Sequence, residues 1–366
     1  MTSIIYVGMD VHTTNYTLCC YSMEDDRFFA EVQVEPDAKN ILKYLARIEK
    51  QQSRDCRIVC GYEAGCLGYS LYHQLHAHGI DCVILAPTTM MTKPGKRIKT
   101  DRRDARLISK CLAFHTYSPV YIPTEVDDAV KEYIRMRDDA NSALARVKQQ
   151  IIAFCIRHGK IHDGKSYWTN KHLEWLSSLD LGNKILSEVL QEYLIRYYQL
   201  REQVDMYDMR INELAQAEPY RQKVEKLGCF RGIAAHTALS FCVEVGDFRR
   251  FATYLGLVPG ECSSGDKQQY TGITKAGNSH LRKLLVETAQ VFGRSATKSG
   301  KSVALKERQA KCDSLTVAYA DKANARLKKK YFKIAMRSKV NIAKTAVARE
   351  MACFIWGMMT DNISCA

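Results

Sequence analysis

Four carboxylates in the first third of the chain have the types and spacing to hold metal ions: Asp10, Glu63, Asp101 and Asp104. Asp10 ends the apolar run Ile4-Ile5-Tyr6-Val7-Gly8-Met9, and Glu63 ends Ile58-Val59-Cys60-Gly61-Tyr62. An acid at the end of a buried strand is costly unless something compensates its charge. Asp101 and Asp104 open the helix-like stretch Asp-Arg-Arg-Asp-Ala-Arg-Leu-Ile. Their i, i+3 spacing puts both on one helical face. Four such acids would clamp two hard divalent ions about 3.5–4 Å apart, an arrangement suited to phosphodiester chemistry. Taken singly, each also reads as a turn residue or a helix cap.

A second chemical feature lies far downstream. Ser263-Ser264-Gly265 sits in a Gly-rich polar loop near Lys267, Lys275 and Arg282. Such a loop can present a hydroxyl to a phosphodiester while the cations stabilise the developing charge. It is also ordinary loop composition.

The elements that must position these groups follow from periodicity. Residues 4–10, 15–21 and 28–34 read as three strands joined by short turns, followed by a helix over 40–50 with Ile41, Leu42, Leu45 and Ile48 at helical spacing. A strand at 56–62, a helix at 66–78, a strand at 80–86 and a helix from Asp101 to about Phe114 complete a mixed α/β domain. The basic loop Pro94–Lys99, just before the acid pair, could track a phosphate backbone; as a short basic loop it is also unremarkable.

The middle is helical. Leu186, Leu190, Tyr193, Tyr197, Leu200, Val204, Tyr207, Ile211 and Leu214 alternate steps of four and three, the pattern of a coiled-coil seam. Residues 127–157 carry a looser stripe of Val130, Ile134, Leu144, Val147, Ile151 and Phe154. The simplest arrangement is an antiparallel pair of long helices, serving as a spacer or a dimerising arm; an ordinary helical bundle is the alternative. Pro219 marks a boundary, beyond which come a small-residue helix, the Ser-Gly loop, a helix at 279–292 and a helical tail.

The net charge of +14 is uneven. Residues 271–349 hold 19 Lys/Arg against Glu287, Glu307, Asp313 and Asp321, whereas residues 1–270 are nearly balanced. A basic block beside a neutral remainder suggests a polyanionic partner, nucleic acid first. The 14 cysteines lack metal-ligand spacing and read as reduced, mostly buried thiols of a cytoplasmic protein. Met1-Thr-Ser leads directly into a strand, without a secretory start. The longest apolar candidate, Met351–Met359, is too short to span a bilayer, so no membrane partner is expected.

The order of these features resembles the DEDD transposases, the Piv/MooV-type insertion-sequence recombinases that use a bridge RNA. The resemblance is carried by Val7-Gly-Met-Asp10-Val-His, Tyr62-Glu63-Ala-Gly-Cys-Leu-Gly-Tyr, Lys99-Thr-Asp101-Arg-Arg-Asp104-Ala-Arg, Tyr254-Leu-Gly-Leu-Val-Pro-Gly-Glu-Cys-Ser-Ser264-Gly, and Gly272-Ile-Thr-Lys275-Ala-Gly277-Asn-Ser-His-Leu281-Arg282. These segments occur in family order over nearly the whole chain. One departure is Phe230-Arg231-Gly232-Ile233-Ala234, where relatives often carry Pro-Gly-Ile-Gly.

The resemblance implies a RuvC-like (RNase H-type) α/β domain over 1–125, a helical coiled-coil arm over 126–218, and a mainly α C-terminal transposase domain over 219–366. Asp10, Glu63, Asp101 and Asp104 match the family's metal-binding tetrad for Mg2+, with Mn2+ as a substitute. Ser264 matches its serine nucleophile, with Ser263 one residue out of register. The implied activity is strand cleavage and exchange through a covalent phosphoserine–DNA intermediate. The implied partners are the DNA of element ends and target, a structured non-coding RNA, and further copies of the chain as a dimer or tetramer, acting at the nucleoid. Two rival readings remain: an RNase H-type metal nuclease or junction resolvase using activated water, and a non-enzymatic nucleic-acid-binding protein with structural acids.

Overall fold

A computed structural model of the chain describes residues 3–51, 56–90, 100–246, 248, 251–261, 269–294 and 300–363. These divide into two compact units, Met1–Ile122 and Pro123–Ala366.

The first unit is built on β1 (Ser3–Val11), β2 (Tyr16–Ser22), β3 (Arg27–Val34), β4 (Cys56–Glu63) and β5 (Asp81–Leu85). Their order across the sheet is β3-β2-β1-β4-β5. The first three strands pair antiparallel, and β4 pairs parallel with both β1 and β5. The central strands are buried on both faces, which is why β1 reads as a continuous apolar run instead of an alternation. Alternation nevertheless decides which face each side chain takes. Ile5, Val7 and Met9 of β1, with Cys60 and Tyr62 of β4, share a core with Ile41, Leu45 and Ile48 of α1 (Ala38–Gln51) and Leu71 and Leu75 of α2 (Ser70–Ala77). Tyr6, Tyr21 and Leu85 pack with Ile108, Cys111 and Leu112 of α3 (Asp101–Ala113). The sheet is thus sandwiched between α1/α2 and α3.

α3 approaches the sheet across two glycines. Gly8 and Gly61 are register partners on β1 and β4. A Cβ at Gly8 would fall on the backbone of Ala105 and Ser109, and one at Gly61 would press on Leu112 and Leu85. The pair forms a trough that only glycine leaves open.

The second unit begins with α4 (Glu125–Arg157) and α6 (Lys184–Gln216), with the short α5 (Asn170–Ser177) between them. Thr124 caps α4 by accepting the Asp127 N–H, and Asn183 caps α6 by accepting those of Ile185 and Leu186. The helices run antiparallel: Val130 and Ile134 share a core with Ile211 and Ala215, while Leu144, Val147 and Ile151 pack with Leu190, Leu194, Tyr197 and Val204. Arg137 of α4 grips Asp208 of α6 with two hydrogen bonds of 2.7 and 3.0 Å. The apolar stripe on α6 is therefore covered within the chain.

Next come α7 (Arg221–Gly228), α8 (Ala235–Glu244) and α9 (Phe251–Tyr254), then a hairpin of β6 (Pro259–Glu261) and β7 (Tyr270–Ile273). The unit closes with α10 (Ser279–Arg294), α11 (Val303–Gln309), α12 (Ser314–Ala335) and α13 (Val340–Met359). α13 is an axis of this core, with Ala343, Val347, Met351, Ile355 and Met358 fully buried among Phe230, Phe241, Phe251 and Phe292. Val340, at its start, is exposed. The described cysteines are all free thiols, and seven of them are buried. No helix among the described residues is long and apolar enough to cross a membrane.

Candidate active site

Strand alternation sends Asp10 to the same face as Tyr6 and Gly8, the face on which α3 lies. Glu63, the last residue of β4, follows the pair Met9–Tyr62 in register. It therefore stands beside Asp10 at the carboxyl end of the neighbouring parallel strand. α3 starts at Asp101, and its close crossing over Gly8 brings its first turn to that same end. Arg102 and Arg106, one turn apart, hold α3 from its other side by pairing with Glu31 on β3 at 3.3 and 2.6 Å.

A carboxylate oxygen of Asp10, a carboxylate oxygen of Asp101 and a ring nitrogen of His12 all lie within 4.8 Å of one another. His12 Nε2 is 3.3 Å from Asp10 Oδ2. Burial raises the pKa of Asp10 above the usual carboxylate value; His12 opposes that, and Asp104 and Asp101 add to it. Asp10 thus feels both α3 acids. The structure brings Asp10, Asp101 and Asp104 into one electrostatic neighbourhood, while Glu63 sits exposed at the end of the adjacent strand. His12 is the member that sequence reasoning did not single out. Its signal was available: it stands at i+2 from Asp10, hence on the same side of the extended chain.

These donors suit a hard divalent cation. They are carboxylate oxygens with one imidazole, and their mutual repulsion at Asp10 is what a cation would relieve.

Cys262, Ser263, Ser264 and Gly265 lie outside the described residues, as does the basic loop Pro94–Lys99. The strands that flank 262–268 are described. β6 and β7 pair through Pro259–Ile273 and Glu261–Tyr270. Below them, Gly256 and Gly277 hold positive φ angles of 60° and 104°, and a Cβ on either would strike the opposing backbone, at Ala276 or Tyr254. Asn278 caps α10 by accepting the Leu281 N–H at 3.0 Å, and its own N–H donates to the Tyr254 carbonyl at 2.8 Å. Arg282 donates to the Leu255 carbonyl at 2.9 Å. These bonds explain the Gly, Asn and Arg of the segment 272–282.

α12 carries a basic stripe. Lys322, Arg326, Lys329 and Lys333 follow i, i+4, i+7, i+11 and are all exposed. They point to one side of the helix.

A transposase family model of the DEDD IS110 type matches residues 7–156, and the model described as Transposase IS116/IS110/IS902 family matches residues 225–308. The chain is similar to putative transposase y4qE of Sinorhizobium fredii, with 35% identity over 82% of this chain and 75% of that protein. It is also similar to the transposase for insertion sequence element IS1533 of Leptospira borgpetersenii, with 32% identity over 89% of this chain and 95% of that protein. A more distant likeness is the transposase for element IS1111A of Coxiella burnetii, 25% identical over 68% of this chain and 71% of that one.

Proposed function

The chain belongs to the IS116/IS110/IS902 family of insertion-sequence transposases, enzymes that cleave and join DNA, and from that premise we propose that it exchanges strands through an acidic metal centre and a serine nucleophile. Asp10, Glu63, Asp101 and Asp104 would hold Mg2+, or Mn2+ in its place, with His12 beside Asp10. When bound, the metal would polarise a non-bridging phosphate oxygen. Ser264 supplies the attacking oxygen: its Oγ–P bond forms as the P–O bond to one strand breaks, and the freed sugar hydroxyl leaves. Reversal of that step onto a new strand rejoins the DNA without an external energy source, because the phosphate ester is retained. The observation that carries the reading is the convergence of Asp10 and Asp101 at the strand end.

On this reading the first unit is a RuvC-like (RNase H-type) domain. The strand order and the acids at the ends of β1 and β4 support it. The α4–α6 pair is the arm, ending near residue 218, and the remainder forms the C-terminal transposase domain. The basic block at 271–349 supports nucleic-acid binding, and the guide is a structured non-coding RNA. Exchange needs more than one active site, so the working form is a dimer or tetramer acting on cytoplasmic DNA.

The test is a denaturing gel with labelled element-end DNA, followed by mapping of any modified peptide. Wild type with Mg2+ should give a protein–DNA adduct at Ser264, and Ser264→Ala should bind DNA yet give neither adduct nor cleavage. An adduct mapped to Ser263 or Cys262 would move the assignment. Cleavage with no adduct at all would favour a metal nuclease using water.

A further inference from the structure

Four titratable side chains far apart in sequence meet beneath the β6–β7 hairpin. His280, in the first turn of α10, stands between two carboxylates: Nδ1 is 2.5 Å from Glu244 Oε1 and Nε2 is 2.8 Å from Asp138 Oδ2. Glu244 ends α8 and is 3% exposed at its side chain; Asp138 lies on α4. A neutral imidazole can donate to only one of two such acceptors. With both acids ionised, a hydrogen bond at each ring nitrogen requires His280 to be the doubly protonated imidazolium.

The surroundings are arranged for that state. Arg137 donates to Asp138 at 3.1 Å and is itself fixed to Asp208 of α6. His236 of α8 places Nε2 2.9 Å from the other Asp138 oxygen. Asn278 donates to the second Glu244 oxygen at 2.7 Å and also meets the Tyr254 hydroxyl at 3.3 Å. Arg135 of α4 adds a favourable charge near Glu244. α10 buries Leu281, Leu285, Ala289 and Phe292 in the core shared with α12 and α13, while its Lys283 and Glu287 are exposed and line the same cleft as Asp138 and His236. Burial alone would lower the pKa of His280, but the bonds to Asp138 and Glu244 outweigh it and raise it to about 9. Burial disfavours the charged forms of both acids as well, yet His236, His280 and Arg137 hold Asp138 well below the usual carboxylate range, and His280 and Asn278 lower Glu244.

We propose that His280 is a positioning residue for strand cleavage: clamped between Asp138 and Glu244, its imidazolium fixes the base of the β6–β7 hairpin, through Asn278 and Tyr254, to the long helix α4. Both ring nitrogens are engaged, so His280 transfers no proton to or from the DNA. It acts by holding the two ends of the segment that spans 262–268. The catalytic consequence rests on the reading that this segment carries the nucleophile.

The experiment uses the full-length protein with Mg2+ and element-end DNA. Amide hydrogen exchange is followed in peptides covering 254–261 and 269–278, corrected for the intrinsic pH dependence of exchange, alongside adduct formation from pH 6 to 10. In wild type, protection and adduct yield should fall together as pH rises through about 9. In Asp138→Asn, which keeps the shape but removes one flanking charge, both should fall at a pH lower by about one unit. His280→Gln, which retains a donor and cannot titrate, should show reduced protection that no longer changes across this range. A folded Asp138→Asn protein whose protection limb coincides with wild type would overturn the clamp. So would a His280→Gln protein with the wild-type limb, which also serves if Asp138→Asn fails to fold. Protection that shifts while adduct yield does not would overturn the positioning role. The exchange readout does not depend on which residue is the nucleophile. If Ser264→Ala still forms an adduct, that assignment fails while the clamp is still tested by protection alone.

Discussion

Each unit of this transposase gathers carboxylates, and the two gatherings have opposite charge balance. At Asp10, acids face acids: Asp101 and Asp104 repel a partly buried carboxylate whose immediate partner is one histidine. At Asp138 and Glu244, every described acid faces a donor, and cations from α4 and α10 hold both ionised. A cluster in which acids repel one another suits an external cation. One that the protein neutralises from within is scaffold. Counting carboxylates does not separate the two; their partners do, with Asp101 and Asp104 facing Asp10 at one site and His280 bridging Asp138 and Glu244 at the other.

Activity should separate the clusters most sharply. Asp10→Asn should reduce strand cleavage at least about a hundredfold, because a metal-held phosphate is stabilised by several kcal/mol in the transition state. The same change should leave thermal stability equal or higher, since it removes repulsion around Asp10. A drop in melting temperature with cleavage retained would place Asp10 among the scaffold acids. Gly8→Ala should act through geometry instead, costing about 3 kcal/mol in the first unit as α3 is forced off the strand, with cleavage lost. Denaturant unfolding measures that, and a variant of unchanged midpoint would remove the trough from the account.

The scaffold cluster should respond in the opposite sense. Glu244→Gln would set an amide donor against Asn278 and leave His280 with one charged partner, costing about 2 kcal/mol. The pH dependence follows from His280. Its folded pKa of about 9 lies above the ordinary 6.5, so its stabilising contribution is fully present below about 6.5 and is lost as pH rises through about 9. Thermal unfolding of Glu244→Gln against wild type should show a gap that is widest near neutral pH and closes above pH 9. A constant gap would mean that the loss is packing alone. The smallest effect belongs to the surface: Lys322→Gln with Lys329→Gln should weaken DNA or RNA binding across sequences and reduce the salt slope by about one unit per lost phosphate contact. An unchanged slope would make the α12 stripe a bystander.

The first unit was largely legible because its signals are local. Strands and helices expected at 4–10, 15–21, 28–34, 40–50, 56–62, 80–86 and 101–114 fall within a few residues of β1–β5, α1 and α3. α2 starts at Ser70 rather than near 66, because Gly65–Tyr69 is spent on a turn in which Gly68 takes a positive φ of 56°. The stripes at 127–157 and 186–214 gave the two long helices, but periodicity cannot say what covers a stripe; here α4 and α6 cover each other. The hairpin β6–β7 was read as loop, since strands of three and four residues show no alternation to find. The clamp was not legible either. Positions 138, 244 and 280 belong to three helices, and no spacing rule links residues that meet only when α8 and α10 pack on α4.

The Gly8–Gly61 trough sets a mechanical tolerance for the acid site. Between the backbone of α3 and the backbone of β1 at Gly8 there is no side chain to rotate, compress or be exchanged. The distance from Asp10 to the first turn of α3 is therefore gauged by the van der Waals contact of one main chain with another. Substitutions that merely loosen the apolar cores on either side would change how firmly that gauge is pressed shut, and leave its length the same.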